Sequence, residues 1–114
     1  MPYNTEKAPI LSVMVKTMNE KLKSPMVNNL FRAVLSLETV EECYDLFEDL
    51  CTASEIKEMA KRIAAAHMLA EGKKYTEIAD STGLSTATIS RVNRALKYGS
   101  DGYTRALSRI EYEE

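Results

Sequence analysis

Between Pro25 and Ser36 the apolar residues Met26, Val27, Leu30, Phe31, Val34 and Leu35 recur at the three-to-four-residue spacing that lines one face of an α-helix. Ser24 ahead of Pro25 offers a side-chain oxygen to the first free N–H groups, and the proline ring already holds a helical φ, so the helix is expected to start there. Thr39 with Glu42 three residues on has the capping-box pattern, and Val40, Cys43, Tyr44, Phe47 and Leu50 form one face of the next helix. Thr52 and Glu55 repeat that signal. They open the longest periodic segment, in which Ile56, Met59, Ala60, Ile63, Ala66, His67 and Ala70 keep the helical period up to a stop at Gly72. Its alanines allow another helix to come close, which predicts a packed spine and leaves room for a dimer interface.

Tyr75 to Ser81 reads as a helix too short to stand alone, so it must lean on a neighbour. A second helix is expected from Ser85 to Lys97, with Leu84, Ile89, Val92 and Leu96 turned to the core. The stretch from Tyr98 to Tyr103 breaks helicity, and Tyr103 to Tyr112 predicts a last amphipathic helix with Ala106, Leu107 and Ile110 inward. Near the start, Ile10, Leu11, Met14, Val15 and Met18 make an apolar stripe with weak boundaries, ending in a breaker region from Lys21 to Pro25. Residues 1–24 are therefore read as an N-terminal arm and residues 25–114 as a single helical domain.

Composition narrows the class without changing this picture. Only four Gly and three Pro occur in 114 residues, 45% of the residues are apolar, and no alternating Val, Ile and Thr run suggests a strand, so the fold is expected to be all-α. No segment approaches the ~20 apolar residues of a membrane span and the start lacks a signal-peptide order, which predicts a soluble, cytoplasmic protein with no membrane partner. Cys43 and Cys51 fit neither a CxxC pair nor a zinc knuckle and are expected to be buried free thiols. His67 is the only histidine; it is read as a helix-face residue, with no metal site and no catalytic residues, and an enzyme is not expected.

Charge adds more. The net charge is −2, which argues against nucleic-acid binding over the whole surface, but the charges are segregated. From Glu38 to Glu55 there are acids at Glu38, Glu41, Glu42, Asp45, Glu48, Asp49 and Glu55 and no Lys or Arg. Between Ser85 and Lys97 the charged residues are Arg91, Arg94 and Lys97, all basic.

This basic segment coincides with the pattern of a helix-turn-helix at about residues 75–97: a short helix, a turn holding Gly83, and a second helix. Ala79 is small where the helices would cross, Gly83 suits a positive φ, and Ser85 can cap the second helix. The outer face of that helix then carries Thr86, Ala87, Ser90, Arg91, Asn93 and Arg94, with no acid. Small hydroxyls and methyls allow close approach to a major groove, and Arg or Asn can read base edges. Lys73, Lys74 and Lys97 would add attraction to phosphate. Double-stranded DNA is the expected partner, with a structural hairpin and an acidic docking face at 38–55 for a basic protein as the alternative.

From Leu50 to Tyr103 the chain also resembles the Trp repressor superfamily, and within it the YerC/YecD-like branch. The resemblance rests on the Thr52 helix start, Arg62, Glu71–Gly72, Gly83, the run Ala87-Thr88-Ile89-Ser90-Arg91, and Leu96–Lys97. It implies a Trp-repressor-like bundle of about six helices that intertwines with a second copy as a homodimer, placing two recognition helices in successive major grooves ~34 Å apart. It also implies a transcriptional regulator, with repression favoured because a compact chain without a separate activation region acts most simply by blocking a promoter. The positions that resemble an effector pocket are Thr52, Arg62, Arg91, Val92 and Ala95. Val92 stands where the repressor has a glycine that makes room for the indole, and Ala95 where it has a serine that helps hold the ligand's amino group. Tryptophan is therefore not expected as co-repressor, no cofactor is implied, and another small effector is left open.

Overall fold

A computed structural model of the chain describes residues 20–114; the expected apolar stripe from Ile10 to Met18 lies outside them. The described residues are helical with short connections, as the periodicity predicts: α1 (Pro25–Leu35), α2 (Val40–Leu50), α3 (Ala53–Ala70), α4 (Tyr75–Thr82), α5 (Thr86–Tyr98) and α6 (Gly102–Ser108).

The helix starts follow local chemistry. Ser24 Oγ accepts from the Val27 N–H at 3.1 Å, with Pro25 in the first turn. Thr39 Oγ1 accepts from Glu42 N–H at 3.1 Å, while the Glu42 carboxylate receives the Glu38 N–H at 3.0 Å. At α3 the box closes on itself: Thr52 Oγ1 accepts from Glu55 N–H at 3.1 Å, and Thr52 N–H donates to Glu55 Oε1 at 2.8 Å. The Thr52 backbone bond, and secondarily its hydroxyl, hold the Glu55 carboxyl below its ordinary pKa. At its far end α3 stops where Gly72 takes a φ of 84° and the Lys73 N–H donates to Met68 O at 3.0 Å, tying the next loop to the helix.

The core lies in one half of the molecule. Ala65, Ala66, Ile78, Leu84, Ile89 and Val92 are buried together, with Met68, Leu69, Tyr75, Ala79, Leu96, Tyr103 and Leu107 packed around them. Ala65 and Ala66 have no exposed surface, which lets α3 run close beneath α4 and α5 as the alanine-rich spine predicts. The short α4 leans on α3 and α5 by burying Ile78 completely.

Helices α1 and α2 bury no residue. Met26, Phe31, Leu35, Val40, Tyr44 and Leu50 are exposed although they form the faces the periodicity marks as apolar. The Cα radius of gyration is 15.3 Å, above the roughly 13 Å of a compact domain of this length. Cys43 is accordingly exposed and Cys51 half-buried, not buried thiols as expected: α2 does not reach the core that α3 to α6 build.

The last helix also departs from expectation. α6 begins after Asp101, whose φ is 64°, and ends at Ser108 instead of Tyr112. Tyr103 and Leu107 face the core, while Ala106 and Ile110 are exposed. The tail turns back to α3, where the Tyr112 ring stacks on His67 with centroids 3.9 Å apart and planes 14° from parallel. Partial burial there, then Glu114 and Glu71, raise the Tyr112 pKa.

Candidate nucleic-acid interface

The reading unit is α4, the turn at Gly83 and α5. Glu77 Oε1 accepts the Lys74 backbone N–H at 3.1 Å at the start of α4. At its end Thr82 Oγ1 donates to Ile78 O at 2.7 Å and accepts from Leu84 N–H at 3.2 Å, so one hydroxyl bridges the helix and the turn. Gly83 has a φ of 75° and donates its N–H to Ala79 O at 2.8 Å. A Cβ there would meet nothing within 4 Å; glycine is favoured by backbone conformation and not by space. The turn drives Leu84 into the core, and Ser85 Oγ then accepts from Thr88 N–H at 3.1 Å to start α5. Sequence reasoning did not single out Ile78 or the two bonds of Thr82; an isoleucine beside the small Ala79, and a threonine next to the turn glycine, are the signals that mark them.

α5 is two-sided. Ile89 and Val92 are buried and Leu96 packs beside them, which fixes the helix on α3 and α4. Thr86, Ala87, Ser90, Arg91, Arg94 and Lys97 are exposed on its outer surface. Asn93 is half-buried at the edge of the inward face, so it flanks the set instead of standing at its centre. Lys73 and Lys74 are exposed in the connection before α4. The result is an acid-free helix face with three cations among small side chains, held rigidly from behind.

The residues that resemble an effector pocket are divided between the start and middle of α3 and the length of α5. Thr52 and Arg62 line a surface depression of about 410 Å³ on α3 together with Cys51, Ser54, Glu55, Glu58 and Met59. Arg91, Val92 and Ala95 belong to α5 and do not line it. The Thr52 hydroxyl is engaged in capping, and Val92 is part of the core, so each has a structural duty.

Comparison with known proteins agrees with this architecture. The Trp repressor protein family matches residues 25–111. The chain is 50% identical over 95 residues to the uncharacterized protein YerC of Bacillus subtilis, covering 83% of this chain and 91% of that protein. Among solved structures, a TrpR-like protein from Eubacterium eligens superposes with a TM-score of 0.75 at 51% identity, covering 82% of this chain and 99% of the other. A candidate Trp repressor from Staphylococcus aureus gives 0.76 at 47% identity over 82% and 96% of the two chains. Among the described residues no helix is long and apolar enough to cross a membrane. Family, fold and helix-turn-helix coincide: the chain belongs to the Trp repressor family, whose members are regulatory DNA-binding proteins and not enzymes.

Proposed function

We propose that the protein is a sequence-specific transcriptional repressor that works in the cytoplasm as a homodimer and lays α5 in the major groove of double-stranded DNA. The observation that carries this reading is the outer face of α5, where Arg91, Arg94 and Lys97 stand exposed among Thr86, Ala87 and Ser90 while the opposite face is locked into the core. Small side chains bring the helix axis close to the base edges, and the arginines supply the base-edge or phosphate contacts. Asn93 contributes from the flank, and Lys73 and Lys74 bind phosphate beside the groove.

Homodimerisation is supported by the apolar surface of α1 and α2. Met26, Phe31, Leu35, Val40 and Tyr44 are all more than half exposed, and grouped apolar exposure of this kind marks interaction sites. A groove lined by Val40, Cys43, Tyr44, Phe47 and Ile56 adds apolar surface on α2 and the start of α3, and in this reading a second copy covers it. Tryptophan is not the co-repressor, because Val92 fills the core where the indole would need room and Ala95 offers no hydrogen bond.

The test is fluorescence anisotropy with a pool of labelled genomic duplexes at low and near-physiological salt, wild type beside Arg91→Glu. Wild type is expected to bind in the presence of competitor, more weakly as salt rises, and Arg91→Glu to lose binding while remaining folded. Equal binding by both proteins would remove α5 from the interface.

A further inference from the structure

The sequence expectation of no metal site rests on the single histidine, but the tail brings a further carboxylate to it. His67 and Glu71 lie one turn apart on α3, so both side chains leave the same face of the helix. Glu114 arrives from the tail: its Oε2 is 3.0 Å from His67 Nε2, and Glu71 Oε2 is 3.5 Å from the same nitrogen. The three potential ligand atoms all lie within 4.8 Å of one another. The Tyr112 ring stacks on the imidazole at 3.9 Å, and the edge carrying Nε2 faces both carboxylates.

We propose that His67, Glu71 and Glu114 bind a divalent transition-metal ion, of which Zn²⁺ is the reference case. Around a tetrahedral zinc with bonds of ~2.0–2.1 Å, neighbouring donors are about 3.3 Å apart, and the two short separations here bracket that value. One imidazole nitrogen and two carboxylate oxygens suit zinc and related first-row ions better than calcium or magnesium, which prefer all-oxygen shells. The two carboxylates bring negative charge that a divalent cation balances. Three protein ligands leave a fourth position for water, as in open zinc sites. His67 is largely covered, whereas Glu114 is mostly exposed, so the ion enters from the tail side. Its structural effect is a latch: the tail is fastened to the last turn of α3, immediately before the Lys73–Lys74 loop.

The experiment is isothermal titration of Zn²⁺ into the full chain, carried out in a Cys43→Ser/Cys51→Ser background so that thiols do not compete, together with melting curves with and without zinc. One zinc per chain is expected, with a zinc-dependent rise in melting temperature. His67→Gln and Glu114→Gln should each weaken binding by at least about tenfold and abolish the rise, with unchanged helical circular dichroism. No zinc binding by the parent, or binding by both variants equal to the parent, overturns the site. Because DNA binding is not the readout, the result stands apart from the role of α5.

Discussion

The two halves of the chain both begin their helices with side-chain caps and are unequally buried. α1 and α2 start at Ser24 and Thr39 with hydroxyl caps like those of α3 and α5, yet none of their residues is fully buried, while α3 to α6 enclose the core. Caps and periodicity therefore define where helices run, but burial needs a complementary surface. In the second half that surface is supplied by the same chain. Among the described residues the first half has no such surface, and under the proposed homodimer a second copy supplies it, so the apolar faces of α1 and α2 and the basic face of α5 call for different kinds of partner.

The sharpest way to break this comparison is to charge the exposed apolar face. Phe31→Glu should convert the dimer to monomer in sedimentation equilibrium; an unaltered mass, or a monomeric wild type, would mean that α1 and α2 are stable uncovered. Next in size is the core. Ile89→Ala removes three carbons from a fully buried site and should cost about 2–5 kcal/mol in urea unfolding. The same truncation at the exposed Leu35 should leave the unfolding of the core nearly unchanged, so similar losses would erase the distinction.

The smallest effect tests the caps. Thr52→Ala should destabilise α3 by about 1 kcal/mol. Its sharper signature is in acid. The Glu55 carboxyl is held below its ordinary pKa by Thr52, so its contribution is present above the unfolded-state pKa and is lost as pH falls through the folded one. The variant keeps the backbone N–H at position 52, the larger cause, and loses only the hydroxyl, so in NMR titration the Glu55 pKa should move part of the way up and the acid slope of stability should become slightly shallower.

The helix starts, the Gly83 turn and the inward set Leu84, Ile89 and Val92 were legible in the sequence because each is fixed by neighbours within a turn or two. The same local logic identified the exposed face of α5, with Asn93 shifted to the flank. The exposure of Cys43 and the half-burial of Cys51 were not legible, since periodicity marks an apolar face without saying whether one chain can cover it. Nor was the end of α6. Ile110 keeps the helical period, but the tail instead returns to α3, where Tyr112 and Glu114 meet His67 across 45 residues or more of sequence. Thr52, Arg62 and Arg91 are legible as a resemblance, although Arg91 stands on a helix apart from the other two and their depression.

The division of the molecule also has an order in time. α1 and α2 are synthesised before the core-forming residues 53–108, a stretch that takes about 3–11 s at ordinary rates of elongation. The faces carrying Phe31, Leu35, Val40 and Tyr44 are thus made before the core that anchors the second half exists. The acids Glu41, Glu42, Asp45, Glu48 and Asp49 along α2 give that segment a dense negative charge, and mutual repulsion between neighbouring nascent chains opposes premature contact between those faces.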